Sequence, residues 1–367
     1  MNLKIYQMSP YIGKEEIAEV ASSIKNNWIS EGPKAKKFTE SILNYIGAKY
    51  GVLAPNGTLA IYMACMVLGL KLGDEILIPD FTFIASANAA YLAGLKPIFV
   101  DVKKEDFNID PDDIEKRITK RTKAIMPVHI YGQSVDMDPV LKIAKKYHLK
   151  IVEDACQGMG VFYKKKRHTG TMGDLGCFSF FADKSITTGG EGGMVVTNNK
   201  KLYEKLLYFR NQGRLTSGTF IHPQIGYNFR MPDMQAAVGL AQFKKMKYIF
   251  GRKLDNYNMY QKYLKGVKEV QFLQEMVYTN FMPFRINVIV KDLEKLLPFM
   301  EKNGIQTRRC FYPLHLQPGY KKDFNAKDFP NTRFAYDNAM SLPVHLHLSE
   351  KDIKYICGTI RKFYQSH

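Results

Sequence analysis

Seven short apolar runs divide residues 51–200, and this alternation is the feature that most constrains the fold. The runs occupy residues 51–55, 75–80, 97–102, 124–130, 149–155, 176–181 and 192–197. Helix-like segments separate most of them, for example 58–70, 84–93 and 139–147. Strands that are apolar throughout and alternate with helices are typical of a parallel sheet covered on both faces. The pattern predicts an α/β architecture with a mostly parallel sheet flanked by helices.

A long helical pattern begins at Pro232 and continues towards Tyr260. Beyond it, strand-like segments at 269–273 and 285–290 mix with further helices. We therefore expect a large domain over residues 1–250 and a smaller α+β C-terminal domain over residues 251–367. The first residues of the chain, up to about 15, are expected to pack on the smaller domain.

The cysteines do not predict a metal or disulfide site. They are Cys65, Cys156, Cys177, Cys310 and Cys357, an odd number at wide spacings without a CxxC motif. We therefore expect buried free thiols and no metal.

The chain is strongly basic, with a net charge of +18. Its lysines and arginines lie in short scattered clusters, and no helix-turn-helix, zinc-finger or RNA-binding signature accompanies them. Solvated lysine-rich faces are expected instead of a nucleic-acid site, although the excess charge favours a phosphate-bearing substrate. No apolar run approaches the roughly 18 residues of a membrane span, and MNLKIYQMSP lacks the apolar core of a signal peptide. We expect a cytoplasmic protein without a membrane partner.

One lysine stands where lysines are rarely found. In SFFADKSITTGGEGG, residues 179–193, Lys184 follows an apolar strand and precedes a glycine-rich loop. Partial burial disfavours the charged form of a lysine, and the neutral amine can form a Schiff base with a carbonyl. The glycines would let a bulky cofactor lie against the backbone. Taken alone, the residue also fits an ordinary surface lysine, so the chemical interpretation depends on partners.

Two of these partners follow the strand in IVEDACQ. Asp154 can pair with a pyridinium nitrogen, which is what pyridoxal phosphate requires to act as an electron sink. An N-cap aspartate is the ordinary alternative. Gln157 can reach the oxygen of the same ring or cap the same turn.

The remaining partners lie at other strand ends. Gly57 and Thr58 begin a helix, where backbone amides and a hydroxyl form an anion site, and Ser179 can add a second hydroxyl. Phe83 can stack on a flat ring, with ordinary core packing as the alternative. Together with Lys184 and Asp154 these residues provide an amine, an acid for the ring, a phosphate cradle and a stacking face. A pyridoxal phosphate enzyme is therefore the leading interpretation.

The order of these motifs resembles that of the DegT-type (DegT/StrS) sugar aminotransferases, fold type I pyridoxal phosphate enzymes that act on nucleotide-linked keto sugars. The matching stretches are NGTLAIYMA, GDEILIPDFTFIASANA, PIFVDV, PVHIYGQSVDMDP, IVEDACQ, GDLGCFSFFADKSITTGGEGGMVVTN and GYNFRMPDMQAAVGLAQ. WISEGP near the start and FYPLHLQPGY near the end also fit. The resemblance covers nearly the whole chain and is densest over residues 50–245.

The resemblance implies a role for each candidate residue. The catalytic pair is Lys184, as the Schiff-base lysine, and Asp154, as the partner of the pyridine nitrogen. The other cofactor contacts are Gln157 on the ring oxygen, Phe83 on the ring face, and Gly57, Thr58 and Ser179 on the phosphate. Asn228 resembles a residue that family members donate to the phosphate of the neighbouring subunit, which implies a homodimer with shared active sites. The segments that border the sugar site contain Trp28, Glu31, Tyr312 and His315.

The implied reaction is transfer of an amino group from L-glutamate to a nucleotide-linked keto sugar. GYNFRM, NWISEGP and SFF-x-x-K-x-ITTG most resemble the GDP-perosamine synthase-like 4-aminotransferases, which make 4-amino-4,6-dideoxyhexoses from 4-keto-6-deoxyhexoses for lipopolysaccharide O-antigen. A 3-aminotransferase of the same family is the near alternative. An eliminating enzyme on the same cofactor and a cofactor-free basic binding or regulatory protein are the others.

Two departures from the family pattern surround the lysine. The usual ITTGEGG contains an added glycine here, at 189–190, which lengthens the loop. Asp183 precedes the lysine, and it can pair with the amine or point to water. Some relatives carry histidine in place of the lysine and act as dehydratases, so Lys184 favours transamination.

Overall fold

The computed structural model describes residues 3–215, 218, 220–320 and 324–366. Numbered in chain order, the strands of this part of the chain are β1 (Tyr50–Ala54), β2 (Glu75–Pro79), β3 (Lys96–Val100), β4 (Thr122–Ile125), β5 (Lys150–Asp154), β6 (Phe162–Tyr163), β7 (Arg167–His168), β8 (Leu175–Ser179), β9 (Gly193–Thr197), β10 (Val270–Phe272), β11 (Ile286–Val290), β12 (Arg308–Arg309) and β13 (Ala339–Leu342). The helices are α1 (Lys14–Lys25), α2 (Pro33–Ile46), α3 (Gly57–Val67), α4 (Ala85–Leu92), α5 (Pro111–Lys116), α6 (Met137–Tyr147), α7 (Lys200–Arg210), α8 (Asp233–Leu264), α9 (Leu293–Lys302), α10 (Pro330–Asn338) and α11 (Glu350–Ser366).

The central sheet has the strand order β1-β9-β8-β5-β4-β2-β3. The pairs from β8 to β3 are parallel, whereas β9 is antiparallel to both of its neighbours. The reversal has a simple cause: a loop without a helix joins β8 to β9, and adjacent strands joined without a crossover run antiparallel. The predicted α/β class with a mostly parallel sheet is confirmed.

A second, antiparallel sheet has the order β10-β11-β13-β12. Its apolar residues share a core with α9, α11 and the C-terminal part of α8, including Tyr260 and Leu264. The N-terminal segment also belongs to this core, since Ile5 forms a parallel bridge with Ile305. The division of the chain at residue 250 stays a prediction, because α8 passes through that position as a continuous helix.

The prediction of buried free thiols is confirmed for Cys65, Cys177, Cys310 and Cys357 but is wrong for Cys156. All five cysteines are free, and Cys156 is half-buried because it forms part of a cavity wall.

At Gly132 the loop that follows β4 lies against the segment that precedes β11. The φ of Gly132 is +98°, a conformation that favours glycine. A Cβ atom at this position would lie 1.8 Å from the carbonyl oxygen of Met282. The carbonyl of Gly132 also accepts a 2.9 Å hydrogen bond from the amide of Met282. The backbone of the second unit therefore lies directly on a loop that leaves the central sheet.

We expect the free energy of unfolding to fall in acid because of His168. This buried ring donates from Nδ1 to the carbonyl of Thr169 (2.7 Å), and its Nε2 accepts from the amide of Gly160 (2.9 Å), so it is held neutral. Burial lowers its pKa from 6.5 to about 4. Below pH 6.5 His168 therefore binds a proton in the unfolded chain, whereas in the native protein it does so only near pH 4. The free energy of unfolding falls as the pH decreases across that interval.

The loss attributable to His168 should reach about 3 kcal/mol. Urea unfolding at neutral and acidic pH measures it, and His168→Gln is the matched control, since glutamine supplies an acceptor and a donor without titrating. An equally steep acid loss in the glutamine variant would show that another group is responsible.

Candidate active site

The carboxyl ends of β1, β2, β5 and β8 meet a cavity of about 500 Å³ between the two sheets. In doubly wound sheets ligands bind at this edge. The predicted residues that line the cavity are Gly57, Thr58, Phe83, Asp154, Gln157, Ser179 and Lys184. These residues are separated by up to 127 positions in sequence, 57 to 184, and the fold brings them together.

Asp154 lies at the end of β5 and is 5% exposed. Its Oδ2 accepts a 2.7 Å hydrogen bond from the Ser86 hydroxyl, and its Oδ1 accepts a 3.1 Å bond from the amide of Cys156. No helix follows β5 directly in the described residues, so the N-cap alternative is wrong. The carboxylate is instead fixed in orientation at the base of the cavity, as a partner of a cationic ring nitrogen must be.

The start of α3 forms one wall. Asn56 caps the helix by accepting from the amide of Leu59 at 2.9 Å, whereas the amides of Gly57 and Thr58 lie in the first turn, which has no intrahelical acceptors. A Cβ on Gly57 would lie 2.8 Å from the Cβ of Ser179, so only glycine permits this approach between α3 and β8. Free amides at a helix N-terminus with two adjacent hydroxyls fit a phosphate group. The residues present therefore fit pyridoxal phosphate at both its ring and its phosphate ends.

Lys184 also lines the cavity, with a side chain that is 17% exposed. Its Nζ is 4.0 Å from Oδ1 of Asp183 and 4.4 Å from the ring centroid of Phe284. The alternative of an ordinary surface lysine is therefore wrong. Asp183 also pairs with Arg285 at 2.7 Å, so it neither points to water nor binds the amine alone.

The loop after Lys184 accommodates the added glycine within a compact turn. Gly189 has a φ of +96°, and Gly190 accepts a 3.0 Å hydrogen bond from the amide of Ala182. Thr187 accepts from the amide of Gly189 at 3.1 Å and donates to Phe180 at 3.0 Å. The loop thus folds back on the end of β8 and leaves Glu191 on the cavity wall.

Phe83 and Gln157, the two residues predicted to contact the face and the oxygen of the cofactor ring, have different environments. Phe83 is 57% exposed at the cavity, with its ring centroid 6.1 Å from that of Phe311, so the core-packing alternative is wrong. Gln157 accepts a 3.0 Å hydrogen bond from the amide of Tyr131 through Oε1. That bond orients the glutamine amide and leaves its NH₂ group as the donor for a ring oxygen.

Asn228, Trp28, Glu31, Tyr312 and His315 are absent from the cavity wall formed by the described residues of one chain. Asn228 is exposed and forms a bridge with Asn211. Glu31 pairs with Arg210, and its carbonyl accepts from Trp28 Nε1 at 3.3 Å. Tyr312 packs edge-on against Tyr336 with centroids 5.1 Å apart.

His315 is buried away from the cavity, so its predicted place beside the sugar does not match the single chain. Its Nδ1 is 2.6 Å from Oδ2 of Asp80, and its ring stacks on Phe329 at 4.5 Å. The contact between His315 and Asp80 connects the loop after β12 to the end of β2, so the histidine holds two segments of the fold together.

Sequence reasoning missed the cavity residues that come from the second sheet and from α4. They are Phe284, Arg285, Arg308, Arg309, Ser341 and Ser86. The weak signal available for the arginines was their position beside strand-like segments. Two of these three arginines are neutralised, Arg285 by Asp183 and Arg309 by Glu294 at 2.5 Å. Arg308 has no acidic partner in the described part of the chain.

Comparisons with known proteins agree with this geometry. Residues 10–361 match the model of the DegT/DnrJ/EryC1/StrS aminotransferase family. GDP-perosamine synthase of Escherichia coli O157:H7 is 36% identical, covering 99% of this chain and 98% of the relative. An uncharacterized protein of Methanocaldococcus jannaschii is 37% identical, covering 96% of each chain.

Solved structures are similar over the same length. Helicobacter pylori PseC, an aminotransferase involved in the biosynthesis of pseudoaminic acid, has a TM-score of 0.93 at 27% identity and covers 99% of this chain and 100% of its own. DesV of S. venezuelae, in complex with a ketimine intermediate, has a TM-score of 0.90 at 29% identity, covering 95% and 94%. A Streptococcus pneumoniae protein in its PLP-form has a TM-score of 0.93 at 25% identity, covering 99% of each chain. Among the described helices, none is long and apolar enough to cross a membrane.

Proposed function

The chain belongs to the DegT/DnrJ/EryC1/StrS aminotransferase family and is a pyridoxal phosphate-dependent sugar aminotransferase, and we propose that it aminates C4 of a nucleotide-linked 4-keto-6-deoxyhexose with L-glutamate as donor. The observation that carries the proposal is the shared cavity of Lys184 and Asp154 in a chain whose whole length matches GDP-perosamine synthases. Family membership argues against a cofactor-free binding protein.

We propose the following roles for the residues that line the cavity. Gly57, Thr58 and Ser179 hold the phosphate, Phe83 stacks on the ring, and Gln157 contacts the ring oxygen. When bound, the cofactor supplies an electron sink for charge at the carbon that carries the nitrogen. Lys184 binds the cofactor and moves the proton at that carbon. Asp154, oriented by Ser86, holds a proton on the ring nitrogen.

The proposed active form is a homodimer. Asn228 is exposed and lies outside the cavity of its own chain, which agrees with a role in the phosphate site of a second copy. The same arrangement would bring Trp28, Glu31 and Tyr312 to the edge of a shared sugar site. Sedimentation of the loaded enzyme tests the dimer, and an active monomer would contradict it. We place the enzyme in the cytoplasm and its product in lipopolysaccharide O-antigen synthesis.

A turnover screen tests the proposed reaction. Purified enzyme is offered glutamate with GDP-, dTDP- and UDP-linked 4-keto-6-deoxyhexoses and, in parallel, 3-keto-6-deoxyhexoses. We expect 2-oxoglutarate to form in step with an amino sugar whose NMR spectrum places nitrogen at C4. Nitrogen at C3 would support the 3-aminotransferase alternative, and loss of a hydroxyl without transfer of nitrogen would indicate elimination.

Replacing Arg308 with glutamine should weaken binding of the sugar nucleotide. Arg308 lines the cavity without an acidic partner in the described residues, so its charge is available for the substrate diphosphate. A charge-assisted hydrogen bond made equally before and during the reaction affects KM alone. We expect KM for the sugar nucleotide to rise about tenfold with kcat little changed. Arg333→Gln is the control, because Arg333 pairs with Asp337 outside the cavity; an unaltered KM in Arg308→Gln would contradict the assignment.

A further inference from the structure

A buried lysine, Lys253 of α8, lies behind the cavity wall that carries Lys184. It is 3% exposed, and its Nζ donates to the carbonyl oxygens of Pro283 and Phe284, at 3.4 Å in both cases. Those two residues lead directly into β11. Lysines are almost never fully buried unless they are paired. The position therefore requires a reason beyond core packing.

The ring of Phe284 connects this lysine to the reactive one. Its centroid lies 4.4 Å from Nζ of Lys184 and 5.9 Å from Nζ of Lys253. A cation within about 6 Å of an aromatic face is attracted by the ring quadrupole. The placement of this ring therefore influences the Lys184 amine, and Lys253 holds the backbone from which the ring projects.

The same segment directs a carboxylate at Lys184. Arg285 donates to Oδ2 of Asp183 at 2.7 Å and to Oε1 of Gln7 at 2.8 Å. The other oxygen of Asp183, Oδ1, has no hydrogen-bond partner in the described part of the chain and lies 4.0 Å from Nζ of Lys184. Arg285 thus anchors one carboxylate oxygen and leaves the other for the amine.

The charge state of Lys253 suits this arrangement. Burial, assisted by the positive charges of Arg285 and Lys184 and opposed by Asp183, lowers the pKa of Lys253 to about 7. His345 and Tyr11 line the small cavity that lies beside it. In alkaline solution Lys253 is therefore mostly a neutral donor, which holds the two carbonyls without repelling Lys184.

We propose that Lys253 is a positioning residue for Lys184. Its bonds to the carbonyls of Pro283 and Phe284 hold the Phe284 ring and, through Arg285, the Asp183 carboxylate against the Lys184 amine. The inference rests on the proposed function of Lys184 and adds the residues that set its reactivity.

The test compares Lys253→Met, Phe284→Leu and the double variant as loaded enzymes. The visible absorption of the bound cofactor is titrated through the alkaline range, since it reports protonation of the Lys184 nitrogen. Phe284→Leu removes the aromatic ring, and Lys253→Met removes the hydrogen bonds that hold it in place. Either change disfavours the protonated form of the Lys184 nitrogen, so each single variant should lower the midpoint by about 0.5 pH unit. We expect kcat to fall about tenfold while both KM values stay within about twofold.

The double variant decides whether Lys253 acts through the ring. If it does, the double variant shifts the midpoint no further than Phe284→Leu alone. Lys253→Gln, which keeps an NH₂ donor, should recover part of the loss. Lys245→Met on the same helix removes a lysine that pairs with Glu16 at 2.6 Å, and it should leave the midpoint unchanged.

Additive shifts in the double variant, or an unchanged midpoint in Lys253→Met, would overturn the inference. If Lys253→Met fails to fold, Phe284→Leu still decides, because an unchanged midpoint in that variant would rule out the ring contact through which Lys253 is proposed to act. A wild-type protein without the visible band would reject the proposed function and this inference together. A wild-type protein that has the band, with variants that titrate at the same midpoint, would reject only the inference.

Discussion

Replacing Lys184 with alanine should abolish sugar amination and remove the visible absorption band of the enzyme. No other lysine lines the main cavity in the described residues, so no second amine can take over. The variant loses both the nucleophile and the group that moves the proton, and we expect turnover to fall about 10⁴-fold or more. Absorption spectra of the purified protein and release of 2-oxoglutarate from glutamate measure the two effects.

The interpretation depends on separating lost chemistry from lost structure. Lys184→Ala should bind pyridoxal phosphate weakly and unfold at nearly the wild-type temperature, because the side chain makes no hydrogen bond to the rest of the described chain. A small amine such as methylamine, added in solution, should restore a measurable part of the proton transfer. Lys184→Arg retains the charge but lacks the nucleophile and should remain inactive. Substantial turnover in either variant without added amine would reject the role assigned to Lys184.

The ends of buried strands were the part of the site that the sequence allowed us to predict. Asp154, Ser179 and the turn at Gly57 each follow a continuous apolar run, and parallel strands bring their carboxyl ends to one edge of a sheet. Residues chosen by that logic converge on one cavity although up to 127 positions, from 57 to 184, separate them. Their spatial relationship follows from local pattern and the topology of the fold class.

Contacts that depend on the packing of distant segments were not predictable in this way. Ser86 gives no chemical signal in an alanine-rich helix, and its bond to Asp154 joins positions 68 apart. Phe284 reaches Lys184, and Arg285 reaches Asp183, only because the segment before β11 packs against the loop after β4 near Gly132. His315 appears reactive in PLHLQ, but Asp80, 235 positions away, holds it in the interior. No periodicity encodes which residues meet across such an interface.

The C-terminal boundary of β4 differs from the prediction for a local reason. The apolar run at 124–130 predicted a longer strand than the observed β4, Thr122–Ile125. Pro127 has no amide hydrogen for ladder pairing, although its carbonyl accepts from Asp154 at 2.9 Å. The residues after it remain buried, so apolar character continues beyond the regular strand. Burial was predicted well, whereas hydrogen-bond pairing depended on a single proline.

Replacing Asp154 with asparagine should leave the fold intact and reduce transamination about 10²- to 10³-fold. The amide has nearly the same shape: its oxygen can accept from the Cys156 amide, and its NH₂ group can donate to the Ser86 hydroxyl where Oδ2 accepted before. It cannot provide the negative charge that holds a proton on the ring nitrogen, and a buried charge-assisted hydrogen bond is worth several kcal/mol in such a site. Single-turnover kinetics with glutamate measure the loss, and retained cofactor binding separates it from unfolding.

Ser86→Ala distinguishes the charge of Asp154 from its orientation. That variant keeps the carboxylate but removes the 2.7 Å bond to Oδ2, so one oxygen loses its fixed direction. Because the charge remains, we expect a decrease of about tenfold, much smaller than in Asp154→Asn. The ordering of the two variants therefore tests the mechanism: if Ser86→Ala were as damaging as Asp154→Asn, position alone would explain both, and if Asp154→Asn kept wild-type rates, the ring nitrogen would not depend on this carboxylate.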